Sequence, residues 1–239
     1  MSHSEALFPV AILAGGLATR MHPVTQTIPK SLIEVAGRPF IDYQLELLRA
    51  GGIQNVVLCV GHLGEMIEAH IGDGKRFGLS VRYSFDGEKL LGTGGALRRA
   101  VPLLGPDFFV LYGDSYLEIA YASVQAAFRE RGKPALITVF RNEGKWDTSN
   151  VLFDGANVIR YDKRQPGSDM KFIDYGLGVL SADLLKSVGR EAFDLSDVYA
   201  ELAGDGRLAG FEAAKRFYEI GTPSGLALTD GHLKGNAAS

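Results

Sequence analysis

The amino-acid sequence predicts one α/β domain with a mixed, mostly parallel sheet flanked by helices. Short apolar runs alternate with segments of helical periodicity, the connections are brief, and no repeat or low-complexity linker divides the chain. With 239 residues, 46% of them hydrophobic, there is material for one sizeable core rather than two independent ones.

Taken in order, residues 9–14 form a short apolar run ending at Gly15-Gly16, which reads as a buried strand and a turn. Residues 40–50 carry Phe40, Ile41, Leu45 and Leu48 at helical spacing, and Gly51-Gly52 stops them. Residues 55–60 read as a second buried strand, 65–71 as a helix and 80–85 as an alternating strand. A short helix is expected over 94–101, then a strand over 108–112 ending at Gly113-Asp114, a helix over 122–131 and a strand over 135–141. The second half changes character: 150–153, 158–162 and 175–181 are strand-like pieces separated by turns. In open α/β sheets ligands gather beyond the carboxyl ends of the strands. Three loops fall there, after Ala14, near Gly92 and after Tyr112.

The formal net charge of −3 provides no broad basic field, which excludes duplex nucleic acid as a partner. Any phosphate must be held by a few placed cations and backbone amides. The single cysteine, Cys59, lies in the apolar run 56–60 and reads as a buried, inert thiol. A reducing cytoplasm is the expected setting. Residues 1–9 lack the basic flank and apolar stretch of a signal peptide, and no run approaches a membrane span. The protein is expected to be soluble, with no membrane partner and with residues 235–239 frayed.

The loop after the first strand carries the chemistry. Paired glycines let the backbone approach a ligand and turn its amides toward phosphate oxygens. Arg20 offers a fork of donors and Lys30 a compact positive charge. Taken alone, Gly15-Gly16 reads as a glycine turn beside two surface cations. The loop matches neither the P-loop pattern nor the dinucleotide-binding Gly-x-Gly-x-x-Gly pattern, so neither ordinary NTPase nor oxidoreductase chemistry is indicated. Asp114 is a turn aspartate or a functional carboxylate. Asn150 caps a turn or hydrogen-bonds a ligand hydroxyl, and residues 174–178 are a strand with a bulge or a place where a ligand rests on close backbone. His22, His62, His70 and His232 lack metal-ligand spacing and read as surface or structural residues, and Trp146 reads as a loop anchor.

Gly15-Gly16-Leu17-Ala18-Thr19-Arg20 with Pro29-Lys30 downstream resembles the G-G-x-G-T-R-(x)n-P-K signature of the sugar-nucleotide pyrophosphorylases. The resemblance continues through Leu91-Gly92-Thr93-Gly94-Gly95-Ala96, Gly113-Asp114, Asp162-Lys163 and Tyr218-Glu219-Ile220-Gly221-Thr222-Pro223, in the family's order. The chain looks most like the short branch that includes heptose-1-phosphate guanylyltransferases and N-acetylmuramate-1-phosphate uridylyltransferases.

The resemblance implies a Rossmann-like domain that joins a nucleoside triphosphate to a sugar 1-phosphate with magnesium. The sharpest form is GTP with D-glycero-D-manno-heptose 1-phosphate; uridylyl or cytidylyl transfer is the alternative. Residues 8–145 would form the nucleotide-binding half and 146–233 the sugar-phosphate half. Leu13, Ala14, Gly15, Gly16, Ala18, Thr19, Gly92 and Thr93 would surround the nucleotide, and Arg20 and Lys30 would be catalytic. Asn150, Asp162, Lys163, Tyr175 and Gly176 would meet the sugar phosphate, and Asp114 and Glu219 would hold the metal. A homo-oligomer would be in keeping with many relatives. The chain departs from the pattern twice. Ala18 replaces a glycine, at a cost of roughly 1 kcal/mol if the position needs positive φ. Glu219 stands where many relatives have aspartate. Ala18 also keeps open a different class, a catalytically silent nucleotide-sugar sensor, which retention of the charged set argues against.

Overall fold

The computed structural model describes residues 6–16, 18–87, 89 and 91–237. Leu17 of the quoted motif, and residues 1–5 and 238–239, lie outside them. The strands are β1 (Val10–Leu13), β2 (Glu34–Val35), β3 (Arg38–Pro39), β4 (Asn55–Val60), β5 (Ser80–Phe85), β6 (Asp107–Tyr112), β7 (Ser115–Tyr116), β8 (Ala135–Arg141), β9 (Val151–Phe153), β10 (Val158–Tyr161), β11 (Phe172–Ser181), β12 (Leu208–Glu212) and β13 (Tyr218–Glu219). The helices are α1 (Phe40–Ala50), α2 (Gly64–Ile71), α3 (Gly92–Ala100), α4 (Tyr121–Arg131), α5 (Ala182–Ser187), α6 (Leu195–Gly204) and α7 (Pro223–Ala237).

Among the described residues, nine strands form one sheet in the order β10-β9-β11-β6-β1-β4-β5, with β8 paired to β11 and β12 to β8. The amino-terminal part is parallel: β1 lies between β4 and β6, and β5 follows β4. Antiparallel β11 then joins the two halves, pairing along β6 on one side and β8 on the other. The mixed sheet flanked by helices agrees with the expectation.

The central strands β1, β4 and β6 are mostly apolar because both faces are covered. Along β1, Ala11 faces one cluster with Cys59, Val110 and helices α3, α5 and α6. Val10 and Ile12 face the other, with α1, α2 and α4. Helix α1 turns Ile41, Leu45 and Leu48 into that second cluster and ends at Gly51. The one-thiol expectation also holds: Cys59 is 1% exposed.

Several expectations are revised. The helix expected over 94–101 begins two residues earlier, at Gly92. The strand expected from 175 begins at Phe172, because Asp174 and Gly176 interrupt the apolar pattern without ending the pairing. Helices α5, α6 and α7 and strand β12 were not foreseen. The expected fraying from 235 does not begin there, since α7 runs to Ala237. No helix among the described residues is long and apolar enough to cross a membrane.

Candidate active site

A cavity of about 300 Å³ opens at the carboxyl ends of β1 and β6. Leu13, Ala14, Gly15 and Gly16 line one wall, Gly92, Thr93 and Ala96 the opposite one, and Cys59 and Asp86 also line it. Lys30, Ser31, Tyr112, Gly113, Asp114 and Asp194 complete the lining. All three loops singled out from the sequence meet here.

The 92–95 segment is fastened to the start of α6. Gly94 N–H donates to the Phe193 carbonyl at 2.9 Å, and Leu195 N–H donates to Thr93 Oγ1 at 2.8 Å. Gly92 has φ +71°, and a Cβ there would lie 2.6 Å from the Phe193 carbonyl oxygen, so only glycine fits this closure. The Asp114 turn is fastened by α1. Gln44, 2% exposed, donates its amide to the Tyr112 carbonyl at 3.0 Å and the Ser115 carbonyl at 2.7 Å.

Lys30 follows Pro29 and begins a single turn of 3-10 helix, Lys30–Leu32, whose Ser31 is buried. Its ammonium lies 2.6 Å from Asp114 Oδ2, with the two side chains 24% and 23% exposed. Strand β13 pairs Glu219 with Ser115, next to Asp114, and Ile220 N–H donates to the Asp114 carbonyl at 3.0 Å. The carboxylates converge: an ideal Cβ on Gly221 would lie 2.7 Å from Glu219 Oε2, 3.0 Å from Asp114 Oδ2 and 3.8 Å from Lys30 Nζ. Glu219 accepts hydrogen bonds from Gly221 N–H and, at 2.8 Å, from Thr222 Oγ1. Helix α7 makes room for the longer side chain with Gly225, where a Cβ would overlap Glu219 Oε1.

Asp86 is 7% exposed. Burial pushes its carboxyl above the ordinary range, while the Leu91 N–H and the Arg99 guanidinium pull it back. Burial pushes Cys59 up to about 12 and Tyr112 up to about 12.

Lys163 lies outside the cavity lining but against its wall. Its Nζ is 3.0 Å from Asp174 Oδ2 and 5.2 Å from the centroid of the Tyr112 ring, which does line the cavity. Burial works to lower its pKa, but the Asp174 carboxylate together with Tyr112 and Asp114 raises it overall.

The other expected residues fall as follows. Arg20 is exposed on the 3-10 turn Thr19–Met21 and does not line the cavity, contrary to its expected place beside Lys30. Ala18, with φ +49° and ψ +44°, precedes that turn, whose Met21 is buried. The positive φ considered for this position is present. Thr19 is exposed on the same turn. Asn150 is buried and its Oδ1 accepts from the Asp174 N–H at 3.0 Å. Asp162 Oδ1 accepts from the Arg164 and Gln165 amides, closing a turn. Tyr175 is 1% exposed, its ring in the core beside Phe140 and Phe217, so it offers no side chain to the site. Gly176 forms the bulge in β11, with φ +100°. Trp146 carries the Arg216 guanidinium 3.7 Å above its ring, which ties its loop to the chain just before β13. His70 pairs with Asp42 at 2.7 Å, and His232 stacks on Tyr218 at 3.8 Å.

Asp86, Tyr112, Asp194 and Gln44 escaped the sequence reading. Only Tyr112, at the end of a predicted strand, carried a positional signal.

Comparison with known proteins adds identity to this geometry. N-acetylmuramate alpha-1-phosphate uridylyltransferase of Caulobacter vibrioides is 29% identical, the match covering 96% of this chain and 98% of that protein. UTP--glucose-1-phosphate uridylyltransferase of Synechocystis sp. is 37% identical over 53% of this chain, which spans only 35% of that longer relative. In solved structures, HddC from Yersinia pseudotuberculosis, complexed with GMP-PN, shares the fold with a TM-score of 0.80 at 23% identity, over 95% of this chain and all of that one. Residues 10–149, more than half of the chain and carrying every cavity-lining residue except Asp194, match the nucleotidyl transferase family, and the protein is a member of that family of enzymes.

Proposed function

We propose that the protein transfers a nucleotidyl group from a nucleoside triphosphate to a sugar 1-phosphate, with GTP as donor. One observation carries the reading: Lys30 and Asp114 line one side of a cavity, with Glu219, outside the lining, converging on them, and the remaining lining includes close backbone, Cys59 and Asp86. That asymmetry favours phosphates beside Lys30 and a base beside Asp86. An ionised carboxylate only accepts hydrogen bonds. Guanine presents two adjacent donors on its Watson–Crick edge, whereas uracil presents one donor between two acceptors. Asp86 therefore favours guanine. The Caulobacter relative, matched over 98% of its length, favours uridylyl transfer as the second reading.

In the proposed reaction an acceptor phosphate oxygen attacks the α-phosphorus of the triphosphate. The new O–P bond forms as the bond to the bridging oxygen of the β-phosphate breaks, and pyrophosphate departs with that electron pair. No side-chain nucleophile is needed, so rate comes from alignment and charge neutralisation. Lys30 offsets charge at the reacting phosphates, and Lys163 receives the acceptor phosphate from beyond Tyr112. Arg20 belongs to the same loop and would meet the outer phosphates. Asp114 and Glu219 are hard oxygen donors in convergent positions and would hold a magnesium ion, which supplies further charge to the phosphates. Residues 8–145 serve the nucleotide and 146–233 the sugar phosphate in this scheme.

The test is pyrophosphate release with GTP, UTP, CTP, ATP and dTTP against heptose, mannose, glucose and N-acetylmuramate 1-phosphates. Highest kcat/KM with GTP is expected. Preference for UTP would replace the guanine assignment by the second reading, and binding without turnover in every pairing would leave a nucleotide-sugar sensor.

A further inference from the structure

We infer that Asp174 is a positioning residue that sets the Lys163 ammonium for the incoming acceptor phosphate. The inference rests on the proposed role of Lys163 and concerns what holds it.

Asp174 lies in β11 immediately before the bulge, and its side chain is only 3% exposed. A carboxylate this buried persists only when its oxygens are met by donors. Oδ2 receives the Lys163 ammonium at 3.0 Å and the Tyr161 hydroxyl at 2.9 Å. Oδ1 accepts from the Gly176 N–H at 3.0 Å. The residue's own N–H donates to Asn150 Oδ1 at 3.0 Å, which fixes the backbone from which the carboxylate springs.

Two consequences point toward the reaction rather than the fold alone. First, the ammonium is held over the Tyr112 ring, whose edge of the wall belongs to the cavity. A lysine side chain loses much rotamer freedom when fixed, and here that loss falls on folding rather than on acceptor binding. The Lys163 side chain is 40% exposed, and the carboxylate raises its pKa against the lowering by partial burial, with Tyr112, Tyr161 and Asp114 as the other groups whose charge it feels or faces. Second, the Gly176 N–H bond closes the bulge, and Gly176 packs so closely on Ser115 that a Cβ would lie 3.0 Å from Ser115 Oγ. Ser115 follows Asp114. One buried carboxylate thus sets both the acceptor lysine and the strand behind the Asp114 turn.

The test is a double-mutant cycle in the full chain, using GTP with the sugar 1-phosphate of highest turnover in the panel above. Asp174→Asn should raise the acceptor KM about tenfold and leave the GTP KM within about twofold, while in a Lys163→Met background it should change the acceptor KM less than about twofold. Tyr161→Phe keeps the charge but removes one donor; it should act in the same direction, more weakly, and likewise lose its effect without Lys163. This second variant carries the test if Asp174→Asn does not fold. Equal effects of Asp174→Asn with and without Lys163 would overturn the inference, as would an unchanged acceptor KM in Asp174→Asn beside a raised one in Lys163→Met. If Lys163→Met itself leaves the acceptor KM unchanged, the role of Lys163 fails and the inference falls with it.

Discussion

Replacing either glycine after β1 adds a single methyl group, yet the two replacements should act on different properties. At Gly15 an ideal Cβ would lie 2.9 Å from the Gly61 nitrogen and 3.2 Å from the Val60 carbonyl carbon, both backbone atoms that cannot rotate away. Such overpacking costs about 1–3 kcal/mol. For a chain of this size that lowers Tm by roughly 2–12 °C. At Gly16 a Cβ would meet nothing within 4 Å, and the backbone there is not in the left-handed region. Gly16→Ala should therefore change stability by no more than about 0.5 kcal/mol, or roughly 2 °C. Gly16 nevertheless lines the cavity, and the fold itself does not require its want of a side chain. If its amide meets a phosphate, displacing it loses a charge-assisted hydrogen bond of about 1.5–3 kcal/mol, roughly 10- to 150-fold in Kd. Thermal melting and calorimetric titration with GTP measure both quantities on the same samples. A Gly16→Ala protein that melts early, or binds GTP like the wild type, refutes this division of roles.

Asp114→Asn keeps the shape of the turn but removes the charge that faces Lys30 and Glu219, so pyrophosphate release should fall at least about a hundredfold with the far-ultraviolet dichroism unchanged. A pH profile of GTP KM tests Asp86: in the proposed reading the ionised form accepts from guanine, and its pKa is raised, so KM should climb as pH falls, beginning at higher pH than an ordinary carboxylate would dictate. Asp86→Asn should flatten that limb. Cys59, with its thiol pushed up to about 12, should resist iodoacetamide at pH 8 in the folded protein and react promptly in denaturant. Rapid native alkylation would contradict its burial.

The parallel half of the fold was legible because its central strands are buried on both faces, its edge strand alternates and its helices bury one face. Such patterns survive in sequence, and 40–50, 55–60, 80–85 and 135–141 appear as read. What escaped notice was decided by contacts between distant segments. Helix α7 contains Gly225, Gly231 and Gly235, which lower helix propensity. Packing overrides them: Leu233 joins Val35, Phe40 and Ile220 in a small cluster, and Thr229 Oγ1 donates to the Glu219 carbonyl at 2.8 Å. Gly225 is there because the Glu219 carboxylate occupies its side-chain space. The glycines of the 92–95 segment were legible as a motif, but their reason, the Phe193 carbonyl and ring, lies a hundred positions away in a helix start that sequence reading did not find.

The site shows the same division between residue type and partner. Arg20, Lys30 and Lys163 were expected as a set of cations around one cavity. Two of them are met by carboxylates, Lys30 by Asp114 and Lys163 by Asp174. Arg20 is exposed on its turn. In a protein of net charge −3 the count of cations is less informative than their anchoring. A lysine drawn into a low-dielectric wall without a partner tends to lose its proton, and one left on the surface is screened and mobile. Pairing each with a carboxylate keeps it charged and in place at some loss of net field. Asp114 was chosen from the sequence as a metal ligand and Asp174 only as part of a glycine-containing strand. In the fold both hold the lysines, so the acidic residues of this site explain where its positive charge stands.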